Sequence, residues 1–316
     1  MFLHSFQITI EAMLQIILLG ATGFFLVKKG LLGGVCLTTL SRLVISVTLP
    51  VLMFAQISSS FSFTNFPNWW VFPFLGVALS LFGLALGKLF GVFVHGQQHK
   101  LQFSSLLGFQ NSGYLPLVLV GALFSPDKAG TVLIYIFLFL LGFNVLMFSY
   151  GVHMLVHSGE RKFSLASAFS PTVIATLAGL VVVLLGVNRF IPALLFKPMV
   201  ILGDCTFPLA LLVVGGCLAQ IKLHHVDKKA NAVLCFVKLI FMPALGILVV
   251  KALNLPELLG FLIVMELAMP SATTLSSIIS QYQKDDLLVS QGIFISHIVS
   301  IVTIPLALSL FFILNR

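Results

Sequence analysis

Ten apolar stretches, each long enough to cross a lipid bilayer, follow one another along this chain with only short polar turns between them. A spanning helix needs about 20 predominantly apolar residues. The stretches lie at 7–27, 36–57, 69–95, 101–123, 129–156, 168–187, 199–220, 232–252, 257–280 and 287–313. They are too long and too unbroken for barrel strands, which run about 10 residues and alternate in polarity. Only 8% of the 316 residues are charged, against about 25% in an ordinary soluble domain. So few charges cannot clothe a soluble body of this size. A soluble enzyme, a nucleic-acid-binding module and a disordered linker are excluded. The sequence predicts an all-α polytopic membrane protein whose first partner is the lipid bilayer.

The first stretch is followed, not preceded, by basic residues (Lys28, Lys29), and no small-residue cleavage site comes next. It therefore reads as a retained span and not a signal peptide. The net charge of +8 would suggest nucleic acid in a soluble protein, but here the bases fall mostly between spans, where Lys and Arg set orientation. With the N-terminus outside, the inner loops hold nine bases: Lys28, Lys29, Lys100, Arg161, Lys162, Lys222, Lys228, Lys229 and Lys284. The outer side holds five: Lys128, Arg189, Lys197, Lys251 and Arg316. That bias predicts both termini on the outer side of the cell membrane. Lys238 lies near the inner end of its span, and Glu11 also near a span end; both read as interfacial. The four cysteines, Cys36, Cys205, Cys217 and Cys235, show no CxxC or Cys/His spacing. They read as small packing residues, with no metal site and no disulfide framework expected.

The two halves of the chain repeat. Thr48-Leu49-Pro50-Val51-Leu52 in span 2 is echoed by Thr206-Phe207-Pro208-Leu209-Ala210 in span 7, and Tyr114-Leu115-Pro116-Leu117 in span 4 by Ala268-Met269-Pro270-Ser271 in span 9. The paired prolines stand 158 and 154 residues apart. Five spans is an odd number, so the second repeat enters the membrane from the opposite side, the inverted arrangement of many secondary transporters. The expected organisation is a first repeat at 1–157, a short cytoplasmic linker at 158–167 and an inverted second repeat at 168–316.

Spans 4 and 9 carry helix breakers at mid-depth. Pro116 has no N–H and clashes with the carbonyl of Ser112, four residues earlier; Asn111 and Gly113 weaken the same turn. Pro270 does this in span 9, followed by Ser271, Thr273 and Thr274. Backbone left unpaired at membrane depth is tolerated only where it is buried in protein or lines a cavity. Two breaks at one level would turn half-helix N-termini, with free N–H groups and positive dipole ends, toward an anion.

The same residues carry a family resemblance. Gly108-Phe109-Gln110-Asn111-Ser112-Gly113-Tyr114-Leu115-Pro116-Leu117 is similar to the G-x-x-N-x-G-[FY]-x-x-P segment of the auxin efflux carrier family. Ala268-Met269-Pro270-Ser271-Ala272, running to Gln281-Tyr282, resembles its A-M-P-x-A…R-Y-G-x-D segment, and Thr206 to Leu218 resembles its T-x-P-L-A-L-x-x-x-G-x-x-L segment. The proline here follows Gly113 by three residues, one fewer than in the family pattern, and Gln281-Tyr282-Gln283 lacks the usual Arg and Gly. The resemblance implies ten helices with helices 4 and 9 crossed. Helices 1, 2, 6 and 7 would form a scaffold, and helices 3–5 with 8–10 a mobile transport domain. It also implies organic-anion substrates, as for the PIN-type auxin carriers and bacterial malate permeases, and a possible homodimer.

An ionisable side chain near the bilayer centre costs about 2.5–3.5 kcal/mol on insertion scales, so each one is a candidate. Glu266, one turn before Pro270, either binds a proton or Na⁺ or is a neutral acid hydrogen-bonded to a neighbouring helix. His297, mid-way along span 10, is either a packed imidazole or a relay. Asp204 and Arg42 read as structural or vestibule charges. Asn144 in span 5 either faces the crossover or packs. Gln110, Asn111, Ser112, Gly113, Pro116, Asn144, Pro270 and Ser271 are the candidate substrate-binding residues. No Walker A motif or filter sequence is present. The expectation is a non-enzymatic secondary transporter of small organic anions, working by elevator-like alternating access without a bound cofactor. A Na⁺-coupled symporter of the bile-acid type and a non-transporting membrane sensor are the rival readings.

Overall fold

The computed structural model describes residues 2–156, 169–221, 226–281 and 287–315. The expected linker at 158–167 lies outside the described residues, as do Lys222, Lys284, Arg316 and the Tyr282-Gln283 pair. Among the described residues every regular element is helical: α1 (Phe2–Lys28), α2 (Gly34–Leu43), α3 (Leu49–Ser60), α4 (Val71–Phe90), α5 (Gln97–Gly108), α6 (Leu115–Leu123), α7 (Pro126–Leu146), α8 (Val152–Val156), α9 (Pro171–Leu184), α10 (Ala193–Asp204), α11 (Thr206–Gln220), α12 (Lys228–Phe236), α13 (Met242–Ala252), α14 (Glu257–Ala268), α15 (Thr274–Gln281) and α16 (Leu287–Leu314). Joined across their small irregularities, seven of the resulting helices are long and apolar enough to cross a bilayer. Of the other three expected spans, the one at 168–187 contains α9, a helix of 14 residues. Those at 101–123 and 257–280 are interrupted, giving α5 with α6 and α14 with α15.

Three long helices contain a π-helical turn, at Val44–Thr48, Met147–Gly151 and Val237–Phe241. Two have the same cause. Pro50 and Pro243 each stand two residues beyond such a turn and cannot donate to the carbonyl four residues back, so the ladder widens ahead of them. The amides just before these prolines reach back five residues, Leu49 to the Val44 carbonyl and Met242 to the Val237 carbonyl. At the third turn the Ser149 hydroxyl donates to the Val145 carbonyl, a side chain competing with the backbone for an acceptor four residues back.

Packing relies on small residues, since lipid removes the hydrophobic drive that joins helices in water. α1 lies along α11, α3 along α9 and α10, α4 along α5 and α7, and α13 against α14 and α16. At the α1–α11 contact Gly215 meets the backbone carbonyl of Gly20 so closely that a Cβ could not be placed there. Gly142 of α7 sits in the same way on the carbonyl of Pro73 in α4. Outward-facing apolar side chains are abundant: Leu194 is 84% exposed and Phe190 81%. Such a surface is at rest only against hydrocarbon. Cys36 and Cys205 lie on this exposed surface and do not pack in the interior as expected, while Cys217 and Cys235 are half-buried.

Candidate functional site

The two interrupted helices meet at their breaks. α5 ends at Gly108 because Phe109 adopts an extended conformation, φ −119° and ψ 105°, and α6 restarts with Pro116 as its second residue. α14 ends at Ala268; Met269 is extended, with ψ 142°, as expected of a residue that precedes proline. The Asn111 amide donates to the Pro270 carbonyl at 2.8 Å and the Ala272 amide to the Phe109 carbonyl at 3.0 Å, which makes an antiparallel bridge between Gln110 and Ser271. Each break thus supplies backbone partners that the other lost with its helix.

The open backbone at the buried end of α5 is closed by further donors. The Phe109 amide bonds the Ser105 carbonyl at 2.9 Å, the Ser271 hydroxyl bonds the Leu106 carbonyl at 2.8 Å, and the Lys238 ammonium bonds the Leu107 carbonyl at 2.6 Å. A cation is favoured at a helix C-terminus by the helix dipole. The interfacial reading of Lys238 is therefore corrected: it is fully buried. Hydropathy along one helix could not show this, because the π-helical turn at Val237–Phe241 and the facing end of α5 together decide where the side chain lies. Glu11, by contrast, is exposed and accepts from the Gln7 side chain at 2.9 Å.

Side chains then lock the junction. Asn111 Nδ2 lies 3.2 Å from His297 Nε2, and Asn111 Oδ1 accepts from the Tyr114 amide at 3.3 Å. His297 Nδ1 lies 2.8 Å from the Ile293 carbonyl. A carbonyl can only accept, so Nδ1 carries the proton and Nε2 accepts from Asn111. Glu266 is fully buried in the last turn of α14. Gln110 Nε2 donates to its Oε2 at a long 3.5 Å. The buried Ser112 hydroxyl is close enough to donate to the same carboxyl.

A cavity of about 70 Å³ opens beside the junction, with Gln110, Asn111, Ser112, Gly113, Asn144, Thr172 and Thr273 among its walls. Asn144 donates to the Thr172 hydroxyl at 3.1 Å. A second, mainly apolar cavity of about 290 Å³ lies between α1, α11 and α16, with His297 and Ser300 on its wall. The Asn111–His297 hydrogen bond is therefore the partition between the two. Pro116, Pro270 and Ser271 shape the junction from behind without lining either cavity. Arg42 on α2 and Asp204 at the end of α10 are exposed and stand outside both. Thr172 escaped the sequence reading; the Ser170-Pro171 helix start, where Ser170 caps the Val173 amide at 3.4 Å, was the available signal.

The family model described as a membrane transport protein matches residues 8–164 and 156–308. No curated protein matches the chain.

Proposed function

Because this chain belongs to the membrane transport protein family, which is the auxin efflux carrier family its motifs resemble, we propose that it carries small organic anions across the membrane. It is a transporter by family; the substrate class and the mechanism are our reading. The carrying observation is the junction cavity: two half-helices, α6 and α15, begin beside it, and polar side chains stand in its wall. Helix N-termini favour negative charge. Asn111, Asn144 and Thr172 are the further polar groups a carboxylate would meet.

A cavity of about 70 Å³ has room for a carboxylate and not for the body of a larger anion. It must widen for transport. Both cavities lie between the same two groups of helices: α1–α3 with α9–α11 on one side, and α4–α8 with α12–α16 on the other. Elevator-like sliding of the second group against the first would open one cavity as it closed the other. The packing supports the inverted five-helix repeat and ten passes behind this mechanism. Span 1 against span 7 (α1 on α11) is the repeat partner of span 6 against span 2 (α9 on α3).

Uptake of a panel of mono- and dicarboxylates into proteoliposomes tests the reading. Asn111→Ala and Pro270→Ala should each abolish transport while the protein still inserts and purifies. Normal transport in both would refute the junction as the substrate site. A Na⁺-coupled mode, with a cation on Glu266, is a second reading, and the full burial of that carboxyl in the last turn of α14 favours it.

A further inference from the structure

The apolar cavity between α1, α11 and α16 offers an anion nothing. Among the described residues, its wall carries two polar side chains, His297 and Ser300, and both have spent their donors inside the protein. The Ser300 hydroxyl bonds the His297 carbonyl at 2.7 Å. His297 donates from Nδ1 to the Ile293 carbonyl at 2.8 Å and accepts at Nε2 from Asn111. A buried water needs about two to four polar partners and a buried anion needs free donors, so neither suits this wall. Left empty, the space would deprive its lining of contact partners. At about 290 Å³ it is about twice the roughly 150 Å³ that holds a benzene molecule in an apolar cavity, room for a hydrocarbon segment of about ten carbons.

Hydrocarbon reaches this cavity sideways. On α16, Ile298, Val302, Leu306 and Leu310 follow one another at four-residue spacing and are all exposed, which makes them one lipid-facing stripe. Ile298, at the head of that stripe, also lines the cavity and is 49% exposed, so lipid-facing surface and cavity wall are continuous there. On α1 the half-buried Ile17 and Ala21 of the wall adjoin the exposed Leu14 and Leu18 in the same way. Ile298 stands eleven residues beyond Leu287, about 16 Å along the helix, near the middle of a hydrocarbon core about 30 Å thick. What arrives at that depth is the end of an acyl chain, its headgroup held at the surface.

We propose that the cavity is a binding site for the acyl-chain end of a bilayer lipid, which enters past Ile298 and lodges between α1, α11 and α16. Because α1 and α11 belong to one of the two groups of helices and α16 to the other, a lodged chain touches both and braces them in this arrangement. The site does not depend on what the junction cavity carries.

The test is photolabelling of the purified chain in liposomes of a phosphatidylcholine that carries a diazirine at the end of one acyl chain. Irradiation expels N₂, and the carbene left behind inserts into the nearest bond; peptide mass spectrometry then reads which residues gained the lipid. Lipid on the outside reaches exposed residues such as Leu18 and Val302. Met13, Ile16, Leu211 and Val214 line the cavity and are buried, so a carbene reaches them only from within it. The native protein should be labelled on both sets. Moving the diazirine next to the ester, close to the headgroup, should remove the label from the buried set. Ala21→Phe, which puts a ring into the cavity, should abolish labelling of the buried set and leave that of the exposed set unchanged; Ala21→Leu should reduce it. Label confined to exposed residues in the native protein overturns the inference, as does buried-set labelling that is unchanged in the filled variants. Should the filled variants not fold, the comparison of the two diazirine positions on the native chain decides it.

Discussion

Replacing Asn111 with alanine removes two hydrogen bonds and strands two buried partners, the Tyr114 amide at 3.3 Å and His297 Nε2 at 3.2 Å. Leaving a buried donor or acceptor unsatisfied costs about 1–3 kcal/mol. Hydrogen bonds between membrane helices average nearer 0.6 kcal/mol, with a maximum of about 1.7, because the unfolded chain in lipid also finds partners. Weighing the two scales, Asn111→Ala should lose about 2–4 kcal/mol. His297→Ala should lose a similar amount, since it gives up both the Asn111 contact and the side chain dividing the two cavities. The sharper quantity is the coupling between them. If the bond is as the structure has it, the double variant should be less destabilised than the sum of the singles by about 0.6–1.7 kcal/mol. Equilibrium unfolding in mixed micelles with increasing SDS measures all three. Strict additivity, within about 0.3 kcal/mol, would refute the Asn111–His297 bond and with it the partition between the cavities.

Two further substitutions test the packing and the broken helices. Gly215→Val places side-chain atoms where the Gly20 carbonyl stands and should push α1 from α11; overpacking costs about 1–3 kcal/mol or more, and a melting temperature equal to that of the native protein would show the contact to be looser. Ser271→Ala leaves the Leu106 carbonyl at the end of α5 without its 2.8 Å donor and should lower unfolding stability by about 1–3 kcal/mol, with Ser271→Thr, which keeps the hydroxyl, recovering part of the loss.

The breaks in spans 4 and 9 were legible because proline acts locally. Pro116 and Pro270 forbid a specific backbone bond wherever the chain goes; α14 stops two residues before Pro270, whereas α5 already stops at Gly108 and Pro116 instead opens α6. Asn111 was legible as a site residue for the same reason: a polar side chain within a break at mid-depth has few other uses. Thr172 was not, because its hydroxyl reaches the junction cavity only through the packing of α9 beside α7. Arg42 and Asp204 were read as structural or vestibule charges. Charge within an apolar run singled them out, and both are exposed and stand outside the two cavities.

Length, hydropathy and proline placement decided that this chain crosses a membrane many times and breaks two of its helices at one depth. These are properties of single segments, set by the cost of unpaired backbone in hydrocarbon. Which polar groups meet at that depth was decided by the tertiary structure alone. Lys238 and Leu107 are 131 residues apart, Gln110 and Glu266 156, and Asn111 and His297 186. Nothing in one helix records which face of another it will meet. A residue near the end of one helix reads as interfacial until a second helix ends against it.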